Sequence, residues 1–166
     1  MFTEKSDKNK TYLLLGSNLG DRFQYLQKAR DIIASKIGKI EQASNIYETE
    51  AWGLEDQPAH LNQILLVNTV LKPLELLHQT QNIEKSLGRT KRFKWDNRII
   101  DIDIIFYNNE IVKFENLKIP HPYLQERNFV LIPLSEIAGN YMHPVFQKKV
   151  SELLKESKDK LKAVKI

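Results

Sequence analysis

Two strand-like segments follow one another with no helix between them: "ASNIYETEA", around Ile46, and "HLNQILLVNTVL", around Leu65. The second is rich in β-branched residues and partly alternating, as a half-buried strand should be. Neighbouring parallel strands need a long crossover, usually a helix, so this succession argues against an alternating parallel sheet. The flanking segments complete the pattern. "TYLLLGSN" predicts a short buried strand running into a turn at Gly16-Ser17-Asn18. Leu19, Phe23, Leu26, Ala29 and Ile33 then recur at close to helical period, with Asp21 in the first turn. "KPLELLHQTQNIEKSLG" opens on Pro and ends on Gly, with Leu74, Leu77, Ile83 and Leu87 on one face of a helix. "RIIDIDIIFYNN" is the clearest strand, closed by an Asn-Asn turn. "HPYLQERNFVLIPLSEIAG" predicts a loop and a short helix ending near Gly139. The order β-α-β-β-α-β with a helical extension predicts an α+β, ferredoxin-like sandwich: a mainly antiparallel sheet with helices on one face. Residues 1–10 are expected to be a flexible N-terminal segment and 11–166 a single domain.

Charge and composition narrow the class of protein. The absence of cysteine excludes disulfides, thiol catalysis and Cys-ligated zinc. No apolar run approaches the roughly 20 residues that span a bilayer, and "MFTEKSDKNK" has no apolar signal core, so a cytoplasmic protein is expected. A net charge of +4 suits an anionic partner. Much of it lies in the tail "KESKDKLKAVKI", five Lys against one Glu and one Asp, expected to be a solvated or frayed terminal helix. The rest of the chain is close to neutral, which weakens a nucleic-acid reading based on total charge.

The chemistry concentrates in "GRTKRFKWDNRIIDIDII". Residues two apart on a strand project to one face, roughly 6.6 Å apart. Asp101 and Asp103 therefore project together while Ile102 and Ile104 face the core. Paired carboxylates on a rigid strand suit magnesium, a hard cation that completes its shell with waters and substrate phosphates. Arg89, Lys91, Arg92, Lys94 and Arg98 precede them, interleaved with Trp95, and cations beside such a pair suit a metal–triphosphate complex. No Walker-type loop is present: "LLLGSNLGD" lacks both the spacing and the lysine. "TKRFKW" fits either a mobile lid or an ordinary basic surface loop. Gln81 and Glu84 are i,i+3 neighbours that either reach a ligand at the sheet edge or are solvated. His121, Arg127 and Phe129 occupy a Pro-containing segment in which a lone His is more often structural and Phe129 fits the core as well as a site. Trp52 lies in a polar loop, and Asn62 at a strand start is normally a cap or turn residue.

Taken in order, "LLLGSNLGDR", "YETEAWG", "DQPAHLNQ", "QNIEKSLGR", "RIIDIDII" and "IPHPYLQERNFVLIPL" resemble the 6-hydroxymethyl-7,8-dihydropterin pyrophosphokinase family of folate biosynthesis over nearly the whole chain. The resemblance implies a ferredoxin-like fold. It implies transfer of the β,γ-pyrophosphoryl group of ATP to the pterin's hydroxymethyl oxygen, with release of AMP. It further implies two Mg2+ ions on Asp101 and Asp103, and a catalytic set of these two with Arg89, Lys91 and Arg98. ATP contacts fall at Gln81, Glu84, Trp95, Ile104, His121 and Arg127. Pterin contacts fall at Thr49, Trp52, His60, Asn62 and Phe129, with Phe129 stacking on the ring and Asn62 bonding its polar edge.

The chain departs from the family pattern at several points. Asp96-Asn97 replaces the usual Gly-Pro, the lid is one residue shorter than in a common bacterial form, and Lys91 stands where Arg is frequent, keeping the charge without the bidentate fork. His60 replaces a Tyr or Phe, and Pro122 a Tyr. The expected partners are the two small-molecule substrates, with no nucleic acid and no membrane, on a monomer to which other folate-pathway enzymes could dock. A nucleic-acid-binding module and a D-x-D sugar-nucleotide transferase are the competing readings. The first is opposed by carboxylates beside the basic stretch, the second by the absence of a parallel sheet pattern.

Overall fold

A computed structural model describes residues 8–50, 59–88 and 99–166. Within these, β1 (Asn9–Ser17) leads into α1 (Arg22–Lys36), β2 (Gly38–Ala43), β3 (Tyr47–Thr49), β4 (His60–Thr69) and α2 (Pro73–Ser86). Then come β5 (Asp101–Tyr107), a small hairpin of β6 (Val112–Lys113) and β7 (Lys118–Ile119), α3 (Asn128–Ala138), α4 (Val150–Glu156) and β8 (Ala163–Lys165). β1 begins inside the stretch assigned to the N-terminal segment.

The main sheet runs β5-β1-β4-β3-β8, with β2 also paired to β4, and every pairing is antiparallel. This is the α+β sandwich that the element order implies. The strand expected at "ASNIYETEA" shrinks to the three residues of β3, and β2 is a further strand that precedes it. Both lie along β4, separated by a turn in which the Ser44 hydroxyl accepts from the Ile64 amide at 2.9 Å. The register of β2 also slips between Ile40 and Gln42.

Helices cover both faces of the sheet, not one. On the first face Leu13, Leu15, Leu61, Leu65, Ile102 and Ile104 pack against Leu26, Ala29 and Ile33 of α1 and Leu76 and Ile83 of α2. On the second, Leu14, Ile64, Ile105 and Phe106 pack against Val130, Leu131, Leu134, Val150 and Leu153 of α3 and α4. The central strands are apolar on both faces, so each needs a cover. The expected stripes shift accordingly. Leu19, Phe23 and Leu74 are exposed, and Leu76 and Thr80 take the buried positions. Asp21 caps α1, its carboxylate accepting from the Gln24 amide at 3.1 Å. The tail is not a frayed helix: α4 stops at Glu156, and β8 adds an edge strand to β3.

Candidate functional site

The antiparallel register fixes what shares the second face. Leu14 faces α3, so Gly16 does too. Asp103 lies opposite Leu14, Asp101 opposite Gly16, Gly16 opposite Asn62 and Asn62 opposite Tyr47. One row across the sheet thus reads Asp101, Gly16, Asn62, Tyr47. The next row toward the strand ends holds the pair His60 and Thr49. Gly16 has no side chain, which leaves a shallow trough between the carboxylate and the amide, whose strands lie two spacings or about 10 Å apart. The trough is tight at its base, since a Cβ on Gly16 would lie 3.0 Å from Asn62 Oδ1.

Asp101 and Asp103 are half-buried on this face, while Ile102 and Ile104 are buried on the other. A one-residue bulge brings Leu13 opposite Ile104 directly after Tyr12 opposite Phe106. It leaves Ile105 and Phe106 both on the α3 side, which pins the register of the acidic end. Glu84 of α2 is 5% exposed and accepts from the Ile102 amide at 3.2 Å, between the two aspartates. It braces β5 and is not solvated. Gln81, one turn earlier, is exposed.

The segment after the small hairpin docks on the outer edge of β5, where the His121 amide donates to the Ile105 carbonyl at 3.0 Å. His121 is pushed down to about 4 by burial and by the nearby Arg127 charge, with Asp101 acting in the opposite direction. The ring is therefore neutral at pH 7. Its Nδ1 accepts from the Tyr123 amide at 3.4 Å, a contact that puts the ring proton on Nε2. Arg127 precedes α3, with its guanidinium 5.2 Å from the Tyr123 ring centre and 5.8 Å from that of Phe129.

At the other end of the trough Asn18 Nδ2 lies 3.3 Å from His60 Nε2. Thr49 Oγ1 and Asn62 Nδ2 are buried and have no hydrogen-bond partner among the described residues. Buried orphan groups are costly, and two of them facing a trough are what a polar heterocycle would satisfy. Arg22, at the start of α1, donates to Glu48 Oε2 at 3.0 Å and to the Ala59 carbonyl at 2.8 Å, fixing β3 against the start of β4.

The structure thus brings together Asp101, Asp103, His121 and Arg127 at one end of the second face, and Thr49, His60 and Asn62 at the other, with Phe129 on α3. Ile104 joins only through its main chain, since its side chain is in the core. Trp52, Arg89, Lys91, Trp95 and Arg98, with the Asp96-Asn97 joint, lie outside the described residues. Gly16, Arg22 and Tyr123 are additions, visible in the sequence only as members of turn, helix-start and loop motifs.

The profile of the 7,8-dihydro-6-hydroxymethylpterin-pyrophosphokinase family matches residues 12–139. The chain belongs to this family. The pyrophosphokinase is 44% identical over 146 residues to the Aquifex aeolicus 2-amino-4-hydroxy-6-hydroxymethyldihydropteridine pyrophosphokinase, covering 88% of this chain and 91% of that one. It is 45% identical over 130 residues to the Bacillus subtilis enzyme of that name, covering 78% of each. Among solved structures it is similar to an HPPK-DHPS in complex with substrates (TM-score 0.72, 18% identity, 90% of this chain and 43% of that one). A Plasmodium falciparum HPPK-DHPS gives a TM-score of 0.75 at 19% identity, over 93% of this chain and 46% of that one. These two show the fold, and this chain spans less than half of either. The enzyme is an ATP-dependent pyrophosphokinase of hydroxymethyldihydropterin. Among the described residues no helix is long and apolar enough to cross a membrane.

Proposed function

We propose that the pyrophosphokinase works through two magnesium ions held between Asp101, Asp103 and the ATP triphosphate, with the pterin laid in the Gly16 trough beneath Phe129. The observation that carries this is the shared face: both carboxylates, the glycine gap and the orphaned Asn62 and Thr49 atoms lie on the α3 side of one sheet. The donor set fits magnesium as a guest of the substrate. Among the described residues no group of three or more His, Asp or Glu side chains could hold a metal, so the protein's share of the shell would be these two hard carboxylates. Such a pair suits an ion that takes its remaining oxygens from phosphates and water. Bound there, magnesium would offset charge on the triphosphate.

The rest of the chemistry is positioning. Asn62 and Thr49 bond the pterin's polar edge, and Phe129 stacks on its ring, a contact worth roughly 1–3 kcal/mol for nucleobases on aromatics. The hydroxymethyl oxygen then points along the row toward Asp101. Its attack on the β-phosphorus forms the new P–O bond and breaks the bond to the α,β-bridging oxygen, which leaves with AMP, while the hydroxyl proton passes to solvent. Neutral His121 offers Nε2–H, and Arg127 its guanidinium, to the phosphate oxygens. Ile104 offers its main chain at the sheet edge to the nucleotide. Arg89, Lys91 and Arg98 carry the charge-neutralising roles that the family resemblance implies, and Trp95 closes over the nucleotide.

Asp101→Asn and Asp103→Asn test this. With ATP, magnesium and the hydroxymethyl-dihydropterin, AMP formation should fall roughly 100-fold or more in each, the scale for removing transition-state electrostatics. The circular dichroism should stay native. Wild-type rates in both variants would overturn the magnesium assignment.

A further inference from the structure

We infer that the C-terminal segment is a strap that sets the separation of the two walls of the pterin pocket, with Asp159 as the positioning residue that fastens it. The inference rests on the pocket assignment above. The strap lies beyond the residues that the family profile matches, 12–139.

The helix that carries Phe129 is poorly secured by its own sequence. Its N-cap position is Arg127, which makes no side-chain capping bond. Pro133 inside the helix cannot donate to the Phe129 carbonyl one turn back. The missing cap comes from 31 residues away: Asn128 N donates to Asp159 Oδ2 at 2.8 Å, and Asn128 Nδ2 to the Asp159 carbonyl at 3.1 Å. A carboxylate at a helix N-terminus also opposes the macrodipole favourably. Asp159 is itself held in shape, since Leu161 N donates to its Oδ1 at 2.9 Å and its own amide donates to Ser157 Oγ at 3.3 Å. Asn128 sits between Arg127 and Phe129, so what fixes its amide fixes both of them.

Four residues further on, the same segment grips the opposite wall. Ala163 pairs with Thr49, Val164 with Glu48 and Lys165 with Tyr47. The Ile166 amide then donates to the Ile46 carbonyl at 3.0 Å. The strap thus joins the start of α3 to the sheet edge bearing Thr49. The chain from Asp159 to Ala163 can reach at most about 14 Å, so the walls cannot part further while both fastenings hold. A second tie keeps the other end of α3 down. Glu136 accepts from Asn45 N at 2.6 Å, Asn45 Nδ2 at 2.8 Å and Tyr47 Oη at 2.7 Å. Burial alone would raise this carboxyl. The bonds from Asn45 and Tyr47, with the charge of Lys165 on β8, carry it below the usual range.

Asp159 touches neither substrate site directly, so its effect must show in binding more than in turnover. Asp159→Ala should raise the pterin dissociation constant and KM about tenfold, the scale of one lost charge-assisted hydrogen bond, with kcat within about threefold. Asp159→Asn, which keeps one acceptor, should fall between, and exposed Lys160→Ala should match wild type. Hydrogen exchange on the wild-type chain supplies an arm that needs no variant. The pterin, added with a non-hydrolysable ATP analogue and magnesium, should slow amide exchange across residues 159–166. Unchanged pterin affinity in Asp159→Ala, or no change in exchange of the strap on pterin binding, would overturn the proposal. If Asn62→Ala and Phe129→Ala also keep the wild-type pterin affinity, the failure belongs to the pocket assignment and not to the strap.

Discussion

Gly16→Ala separates binding from stability, because the glycine sits where the row between Asp101 and Asn62 has a gap. The added Cβ would lie 3.0 Å from Asn62 Oδ1 and 3.8 Å from the Leu61 carbonyl. Only the first contact is too close, and relieving it requires a few tenths of an ångström. The atom that must move is the end of a side chain, so the backbone register of β1 and β4 survives. Ala in a strand interior is favoured over Gly by roughly 0.5–1 kcal/mol, which offsets much of the crowding, so stability should change by less than about 1 kcal/mol. Binding has no such offset. Asn62 is 4% exposed, and turning its amide to escape the methyl removes it from the trough it lines. Losing one buried hydrogen bond costs about 1–3 kcal/mol, a roughly 5- to 150-fold weaker pterin. Isothermal titration of the pterin in the presence of magnesium and a non-hydrolysable ATP analogue reads the loss, and thermal denaturation reads the stability. A pterin affinity within twofold of wild type, in a folded variant, would refute the placement of the ring over Gly16.

Acid should weaken the fold through His121. Its folded-state value near 4 lies below the unfolded 6.5, so between these the unfolded chain binds the extra proton and stability falls as pH drops. The loss begins below pH 6.5, is complete near pH 4 and amounts to no more than about 3 kcal/mol; His121→Gln should flatten that part of the denaturation profile, and an unchanged slope would contradict the assignment. Glu84→Ala should cost about 1–3 kcal/mol by stripping the Ile102 amide of its acceptor, lowering the melting temperature by roughly 3–9 °C. Glu84→Gln, which keeps an acceptor oxygen, should recover most of that loss in the same melting experiment.

The residues most legible in the sequence were those whose pattern repeats locally. "RIIDIDII" alternates at the strand period, and the structure places its aspartates on one face and its isoleucines on the other. The βαββαβ order followed from caps and turn residues near each element. What escaped were features set by distant partners. β8 pairs across more than a hundred residues with β3, and nothing within "KDKLKAVKI" announces a strand, because four of its nine residues are lysines that edge strands tolerate and periodicity ignores. The second helical layer was likewise missed. α3 is apolar on several sides, and only the doubly buried faces of β1 and β4 show that a cover is needed there. Glu84 was open between a ligand contact and solvent, and neither alternative includes its bond to Ile102. The role of Gly16 required the register, since a glycine before a turn normally serves the turn.

The central claim is that carboxylates and pterin pocket form one composite site on the α3 side of the sheet. A crystal structure of the enzyme with magnesium, a non-hydrolysable ATP analogue and the hydroxymethyl-dihydropterin tests it most directly. The account predicts the pterin ring between Asn62 and Phe129, its hydroxymethyl oxygen facing the β-phosphorus. It also predicts Asp101 and Asp103 oxygens at about 2.1 Å from bound magnesium. A pterin bound on the α1 and α2 side, or metal ions touching neither aspartate, would contradict it.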